Sequence, residues 1–280
     1  MGRNIVNLIT SDLVSRAFKA LVNVYVDQKP LDILLKFVTF MNLAKKFISN
    51  KLPLTAWPFH DCIANVDFNE PRYSFYIARG YDFNIYLNPY FHEYDVTRFV
   101  SRSLILGDVF LDVGAHGGLY TLIAAKKVGS HGRVLSFEPN PLNLFFLKLN
   151  IELNALDNVT VIPKAISDRP GKITFYYSLN NTALTSALRR EGKSIEAEAT
   201  TLDGISKTQR LNFVKILKVD TEGYDLKVLK GALNTLRRTQ YVIVEQNTFD
   251  VRRLLLNGGF QLSILKPSGY LLATNKTFKC

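Results

Sequence analysis

The 280-residue sequence predicts a doubly wound α/β protein: a mostly parallel sheet, a hairpin with an antiparallel strand at its end, and a helical extension before it. Three observations carry that expectation. From Gly107 onward, apolar runs of strand length alternate with helical patterns, as in consecutive βαβ units. The run FLDVGAHGGLYTL (110–122) sets three glycines between an apolar strand and an apolar helix, where such sheets bind ligands. The last strand-like runs, FQLSIL and GYLLAT, flank Lys266-Pro267-Ser268-Gly269, a hairpin that should make one edge strand antiparallel.

Residues 4–50 show two amphipathic helical patterns broken at Lys29-Pro30; in the second, Leu31, Leu34, Leu35, Val38, Met41 and Phe47 recur at helical spacing. A helical extension packing on the domain or on a second copy of the chain is preferred over a helix resting on a membrane surface. Residues 52–106 form a lead-in. There RYSFYIARGYDFNIYLNPYF reads as a β-hairpin turning at Arg79-Gly80-Tyr81-Asp82, its tyrosines expected to pack rather than to stack on sugars. Residues 107–280 form the main domain, with strands expected near 108–113, 133–138, 158–164, 214–220 and 240–246. Between 172 and 201, KITFYYSL and IEAEATTL are strand-like and enclose a polar loop, NNTALTSALRREGKS. Its length and its Arg189, Arg190 and Lys193 suggest a lid over an anionic acceptor.

Composition sets outer bounds. With 47% hydrophobic residues the chain is not disordered, and its net charge of +11 permits contact with phosphates or an anionic surface without dictating either. Cys62 and Cys280 make no CxxC, so neither a zinc site nor a disulfide framework is expected. Asp12 and Arg16 interrupt any secretory apolar segment, Val6 stands where a myristoylation motif needs Ser or Thr, and no uncharged apolar run reaches membrane-spanning length. The expected location is the cytoplasm, with membrane association or self-association left to residues 4–50.

The glycine turn discriminates among ligands. A phosphate loop needs GK[ST] at the helix start, where Leu119-Tyr120 stand. A dinucleotide turn needs GxGxxG, and GAHGG breaks that spacing. An uncharged glycine turn after Asp112 instead suits a nucleoside without phosphate, S-adenosylmethionine. Glu138, ending the second strand in SFEPN, can accept both ribose hydroxyls.

The segments DVGAHGGLYTL, FEPNPLNLFFLKLNIELN, AISDRPGKITFY, TTLDGI, LKVDTEGYDLKVLKGA and YVIVEQ, in that order over roughly 105–265, resemble the FkbM family of S-adenosylmethionine-dependent methyltransferases. The resemblance implies the class I methyltransferase fold, with its final hairpin strand antiparallel, and O-methylation of a sugar, glycan or other small-molecule hydroxyl. It puts Asp112, Gly114 and Gly118 around the methionine part of the cofactor and Glu138 on the ribose. Ala115, His116, Asn140 and Asp220 join that cofactor set, and Ala165, Ile166, Ser167 or Asp168 borders the adenine. His116 stands where the family often has asparagine, and Gly117 where it has an apolar residue.

Methyl transfer from a sulfonium needs the acceptor aligned and its proton removed. VDTEGYD places Asp220 and Glu222 after the fourth strand, and VEQN places Glu245 after the fifth. Asp220, Glu222 and His116 are the candidate catalytic groups, against a reading of Glu222 as a helix cap. Asp220, Glu245 and Gln246 could instead hold a divalent metal such as Mg²⁺, the weaker expectation. Two rivals remain: an RNA methyltransferase, for which no binding module is visible, and a non-catalytic cofactor-binding homologue.

Overall fold

The computed structural model describes residues 62–67, 72–77, 93–178, 181–186 and 193–278. The chain divides after His60, and every described residue belongs to the unit Asp61–Cys280. The helices expected over 4–50 lie outside the described residues, as do Arg189 and Arg190.

β1 (Cys62–Asp67) and β2 (Arg72–Ile77) pair antiparallel, from Cys62 opposite Ile77 to Asp67 opposite Arg72. The strand expected at 72–77 pairs with the segment before it; the arm expected after it lies outside the described residues. The turn expected at Arg79–Asp82 lies outside the described residues. α1 (Tyr94–Ser103) leads into β3 (Val109–Val113), followed by α2 (Leu119–Val128), β4 (Arg133–Phe137), α3 (Pro141–Leu153) and β5 (Val159–Ile162). β3 and β4 are buried on both faces along most of their length, which is why VFLDV and RVLSF read as mostly apolar without the alternation of a half-buried strand. α2 is apolar almost all round because it is buried almost all round. α3 starts where Asn140 accepts a hydrogen bond from the Leu142 amide and Pro141 supplies a preset first turn.

The chain then builds a second sheet: β6 (Ala165–Ile166), β7 (Gly171–Ser178), β8 (Asn181–Ser186) and β9 (Lys193–Thr200), in the order β6-β9-β7-β8. β8 falls inside the segment expected to be a loop. It pairs with β7 through a register shift between Tyr176 and Ser178. An edge strand needs only one ladder of backbone bonds, so its polar sequence does not betray it.

After α4 (Leu202–Thr208), β10 (Val214–Val219) returns to the main sheet, followed by α5 (Asp225–Lys230), α6 (Leu233–Leu236), β11 (Thr239–Val244), α7 (Phe249–Asn257), β12 (Phe260–Ile264) and β13 (Leu271–Asn275). The order across the sheet is β12-β13-β11-β10-β3-β4-β5, parallel from β11 to β5. β13 is antiparallel to both its neighbours, as expected of the last strand, but it is not at the edge: β12 is. The hairpin folds its second arm inward against β11. This is the class I methyltransferase strand order, with the chain reversing direction across the sheet between β3 and β10.

Alternation along the strands sorts the core into two layers. Phe110, Val134, Ile216 and Ile243 face Leu122, Ile123 and Val100; Leu111, Leu135, Leu217 and Val242 face Val228, Val251 and Leu255. Truncating a side chain such as Phe110, which is fully buried, would cost about 3–5 kcal/mol. Among the described residues no helix is long and apolar enough to cross a membrane.

Candidate active site

The carboxyl ends of β3, β4, β10 and β11 open onto a cavity of about 260 Å³, lined in part by Gly114, His116, Glu138, Ala165, Asp220 and Glu245. The glycines above it answer to protein packing first. Gly114 has φ +83°, and a Cβ there would stand 1.8 Å from the backbone carbonyl oxygen of Asp220. Gly118 has φ +99° and caps α2, where a Cβ would press on Leu147 and Leu122 at 2.8 and 2.9 Å. Two of the three glycines therefore serve close approach of the chain to itself, and Gly114 also lines the cavity.

Glu138 follows β4 and is 4% exposed. Its Oε2 accepts the His116 amide and its Oε1 the Asn140 amide, each at 2.8 Å. Burial outweighs these bonds and pushes the carboxyl up to about 7. His116 sits at φ +51° in the turn, and burial pulls its imidazole down to about 4, so it is neutral near pH 7 and a weak base.

Lys218, which the sequence reading passed over, organises the inner wall. It is 1% exposed in β10, with Nζ 2.9 Å from Asp220 Oδ2, 4.0 Å from Asp112 Oδ1 and 4.5 Å from the centre of the Tyr120 ring. Burial opposes its charge, but Asp220, Asp112 and Glu93 together hold it well above the ordinary lysine range. Tyr270, from the start of β13's arm, places its hydroxyl 3.0 Å from Asp220 Oδ2 and 2.8 Å from Glu93 Oε1. The Tyr120 hydroxyl donates to Glu93 Oε2. Glu93, Tyr120 and Tyr270 were likewise missed. The one local signal was a lysine in the middle of a strand buried on both faces.

Asp112 is fully buried and accepts from Thr121 Oγ1 at 2.7 Å; burial raises its carboxyl, with Lys218 and Thr121 pulling it back. It does not line the cavity, nor do Gly118, Asn140, Ser167 and Asp168 from the expected cofactor set. Asn140 reaches Glu138 through its amide, and Ser167 hydrogen-bonds Asp168 at 3.0 Å. Gly114, Ala115, His116, Glu138, Ala165, Ile166 and Asp220 do line it.

At the opposite wall, Asp220, Glu222 and Glu245 each bring a carboxylate oxygen within 4.8 Å of the others. Glu245 is pushed up to about 8, first by burial, then by Asp220 and Glu222. Gln246 follows Glu245 on the same loop. Its amide donates to Asp225 Oδ2 at 2.9 Å, and Asp225 also accepts from the Thr221 amide at 3.0 Å, clamping the loops after β10 and β11 together. Glu222, at φ +51°, does not cap α5; Asp225 is the acid of that first turn. The trio could hold a hard cation or bind hydroxyl donors.

Residues 112–262 match the methyltransferase FkbM domain. The chain is 30% identical over 178 residues to the hexuronic acid methyltransferase AglP of Haloferax volcanii, spanning 62% of this chain and 72% of that one. It is 28% identical over 172 residues to methyltransferase sdnD of Sordaria araneosa, spanning 50% of this chain and 64% of that one. A solved structure similar to it is a SAM-dependent methyltransferase from Aquifex aeolicus, 15% identical, covering 67% of this chain and 90% of that one with a TM-score of 0.41. With the strand order, the buried acid after β4 and a domain match over more than half its length, the chain belongs to the FkbM family of S-adenosylmethionine-dependent methyltransferases.

Proposed function

We propose that the protein methylates a hydroxyl oxygen of a sugar acceptor, with Glu138 holding the cofactor ribose and Asp220 taking the acceptor's proton. The observation that carries this reading is the carboxylate trio Asp220, Glu222 and Glu245 on one wall of a cavity whose other wall carries Glu138. Similarity to a hexuronic acid methyltransferase supports a sugar.

Glu138 suits a diol. Its carboxylate is fixed by two backbone amides and the Asn143 side chain, and it lines the cavity, where an ionised carboxylate accepts from ribose hydroxyls. When bound, S-adenosylmethionine supplies an electrophilic methyl group. The chain's part is to align the acceptor and move its proton. Asp220 is pinned by Lys218 and Tyr270, so its carboxylate is oriented before the acceptor arrives. Glu245, protonated over most of the neutral range, hydrogen-bonds Asp220, while Glu222 offers acceptor contacts to neighbouring hydroxyls. His116 is the least suited of the three expected bases because burial holds its proton affinity low.

Three acids at this wall favour a hydroxyl donor over a carboxylate as the reacting group. The test is turnover of labelled S-adenosylmethionine with hexuronic acids, their glycosides and neutral hexosides, followed by mild alkali. A methyl ether survives alkali and supports the proposal; a methyl ester is cleaved and would assign the carboxyl instead.

A further inference from the structure

The two ends of the main sheet carry opposite charge. At the cavity end, Glu93, Glu138, Asp220, Glu222 and Glu245 line the opening. The other end, where β3, β4, β5, β10 and β11 begin, is basic. The stretches leading into those strands are 102–108, 127–132, 152–158, 207–213 and 237–238. They hold Arg102, Lys127, Lys207, Arg210, Arg237 and Arg238 against Asp108, Glu152 and Asp157. Arg102, Lys127 and Lys207 complement the carboxyl ends of their helices, as cations there commonly do. Arg210, Arg237 and Arg238 lie past their helices and are exposed, so helix ends do not account for them. Of the acids, Asp108 is taken up by the Ile105 amide at 2.8 Å, and Glu152 and Asp157 precede the edge strand β5.

At this same end two large aliphatic side chains are held out in water. Ile105 and Leu106 are 64% and 77% exposed. The turn that carries them is fastened: besides the Ile105–Asp108 bond, the Asp108 amide donates to the Ile105 carbonyl at 3.2 Å and the Gly107 amide to the Val128 carbonyl at 2.9 Å. Their exposure is therefore imposed by the fold. The turn is also joined to the basic loops. Leu106 leans on Gly129, two residues past Lys127. Arg133 grips the carbonyl and side chain of Gln209, beside Arg210, at 3.0 and 2.8 Å, and Arg238 donates to the Leu211 carbonyl at 3.3 Å.

We propose that this end of the sheet docks on an anionic lipid surface, with Ile105 and Leu106 entering the interface and the surrounding cations facing the headgroups. Aliphatic side chains gain from the apolar layer of a bilayer and nothing from phosphate alone. A face for nucleic acid would offer exposed aromatic rings for stacking. Among the described residues the exposed rings, Tyr94, Phe145 and Phe249, lie in the first two turns of helices that start at the cavity end. Docked by its basic end, the protein keeps the cavity mouth open to water.

Co-sedimentation of the full chain with phosphatidylcholine vesicles, with and without phosphatidylglycerol, tests this. Mixed vesicles should bind at least about tenfold more tightly than neutral ones, because each cation brought near an anionic bilayer contributes about fivefold. Arg210→Gln/Arg237→Gln should weaken binding to mixed vesicles about 25-fold, and Ile105→Ser/Leu106→Ser about tenfold or more. Both variants should keep S-adenosylhomocysteine affinity within about twofold, which shows that they fold. Equal binding to the two kinds of vesicle, no binding to either, or wild-type binding by either variant overturns the docking surface. So does a structured RNA that displaces the protein from mixed vesicles and binds Ile105→Ser/Leu106→Ser as tightly as wild type, since the surface would then serve nucleic acid.

Discussion

Cofactor affinity should fall about tenfold between pH 8 and pH 6, and Glu138 alone accounts for it. Its carboxyl is pushed up to about 7 by burial, against an ordinary 4.5. A ribose diol donates two hydrogen bonds and wants the ionised carboxylate, because protonation turns one acceptor oxygen into a donor while the His116 and Asn140 amides still claim both oxygens. With a midpoint near 7, roughly nine-tenths of the protein is binding-competent at pH 8 and roughly one-tenth at pH 6, which gives the tenfold change. Calorimetry with S-adenosylhomocysteine in two buffers of different ionisation enthalpy should show close to one proton released per site at pH 6 and almost none at pH 8. The apo fold carries the opposite linkage. A folded value above the unfolded one means a stability contribution that is full below about 4.5 and lost as pH rises through about 7, worth about 3 kcal/mol. Glu138→Gln should flatten both dependences. A pH slope in cofactor affinity that persists in Glu138→Gln would place the proton elsewhere, with Glu245 the next group in that range, and would refute this reasoning.

Asp220→Asn should lower kcat about 10²-fold or more on a sugar acceptor while cofactor Kd changes only a few-fold, with rapid-quench kinetics as the check. EDTA should leave wild-type turnover unchanged if Asp220 acts directly; a loss restored by Mg²⁺ would assign the trio to a metal instead. Lys218→Met should destabilise the fold by about 3 kcal/mol or more in urea unfolding, because Asp112 and Asp220 lose their buried counter-charge. Gly114→Val should lower thermal stability as well as cofactor binding, since its side chain meets the Asp220 carbonyl; a variant of wild-type stability that merely fails to bind would contradict the packing role.

The main sheet was legible because burial on both faces writes itself into composition. VFLDV, RVLSF and VKILKV can hardly be anything but central strands, and Asn140-Pro141 announces the start of α3. β8 was not legible. Its backbone bonds one neighbour through an irregular register, and nothing in NTALTS distinguishes such an edge from a loop. The inward placement of β13 was equally hidden. A hairpin signal fixes that two strands are antiparallel, but which arm meets β11 is decided by Leu271, Leu272 and Ala273 finding the core, a matter of packing.

The site divides along the same physical line. Glu138 could be placed at the cavity from its distance along the chain from a turn, and Asp220 and Glu222 from following a strand end. Glu245 belongs with them only because β11 lies beside β10, which brings the ends of two strands distant in sequence to one wall. Lys218 was in plain view within LKVDTEGYD, yet a lysine in a sequence carries no sign of what surrounds it. Its meaning comes from Asp112 on the neighbouring strand, to which the parallel register pairs it directly, and from Tyr120 and Tyr270 closing over it. Motif-level reading therefore recovers the half of the cavity built by consecutive strand–turn–helix units. The inner wall adds Glu93, just before α1, and Tyr270, from the β12–β13 hairpin, to Lys218, Asp220 and Tyr120; those two stand outside the matched residues. Tyr270 and Glu93 set the surroundings of Asp220 and Lys218, so differences among relatives just before α1 and in this hairpin should alter turnover even where every matched motif is intact.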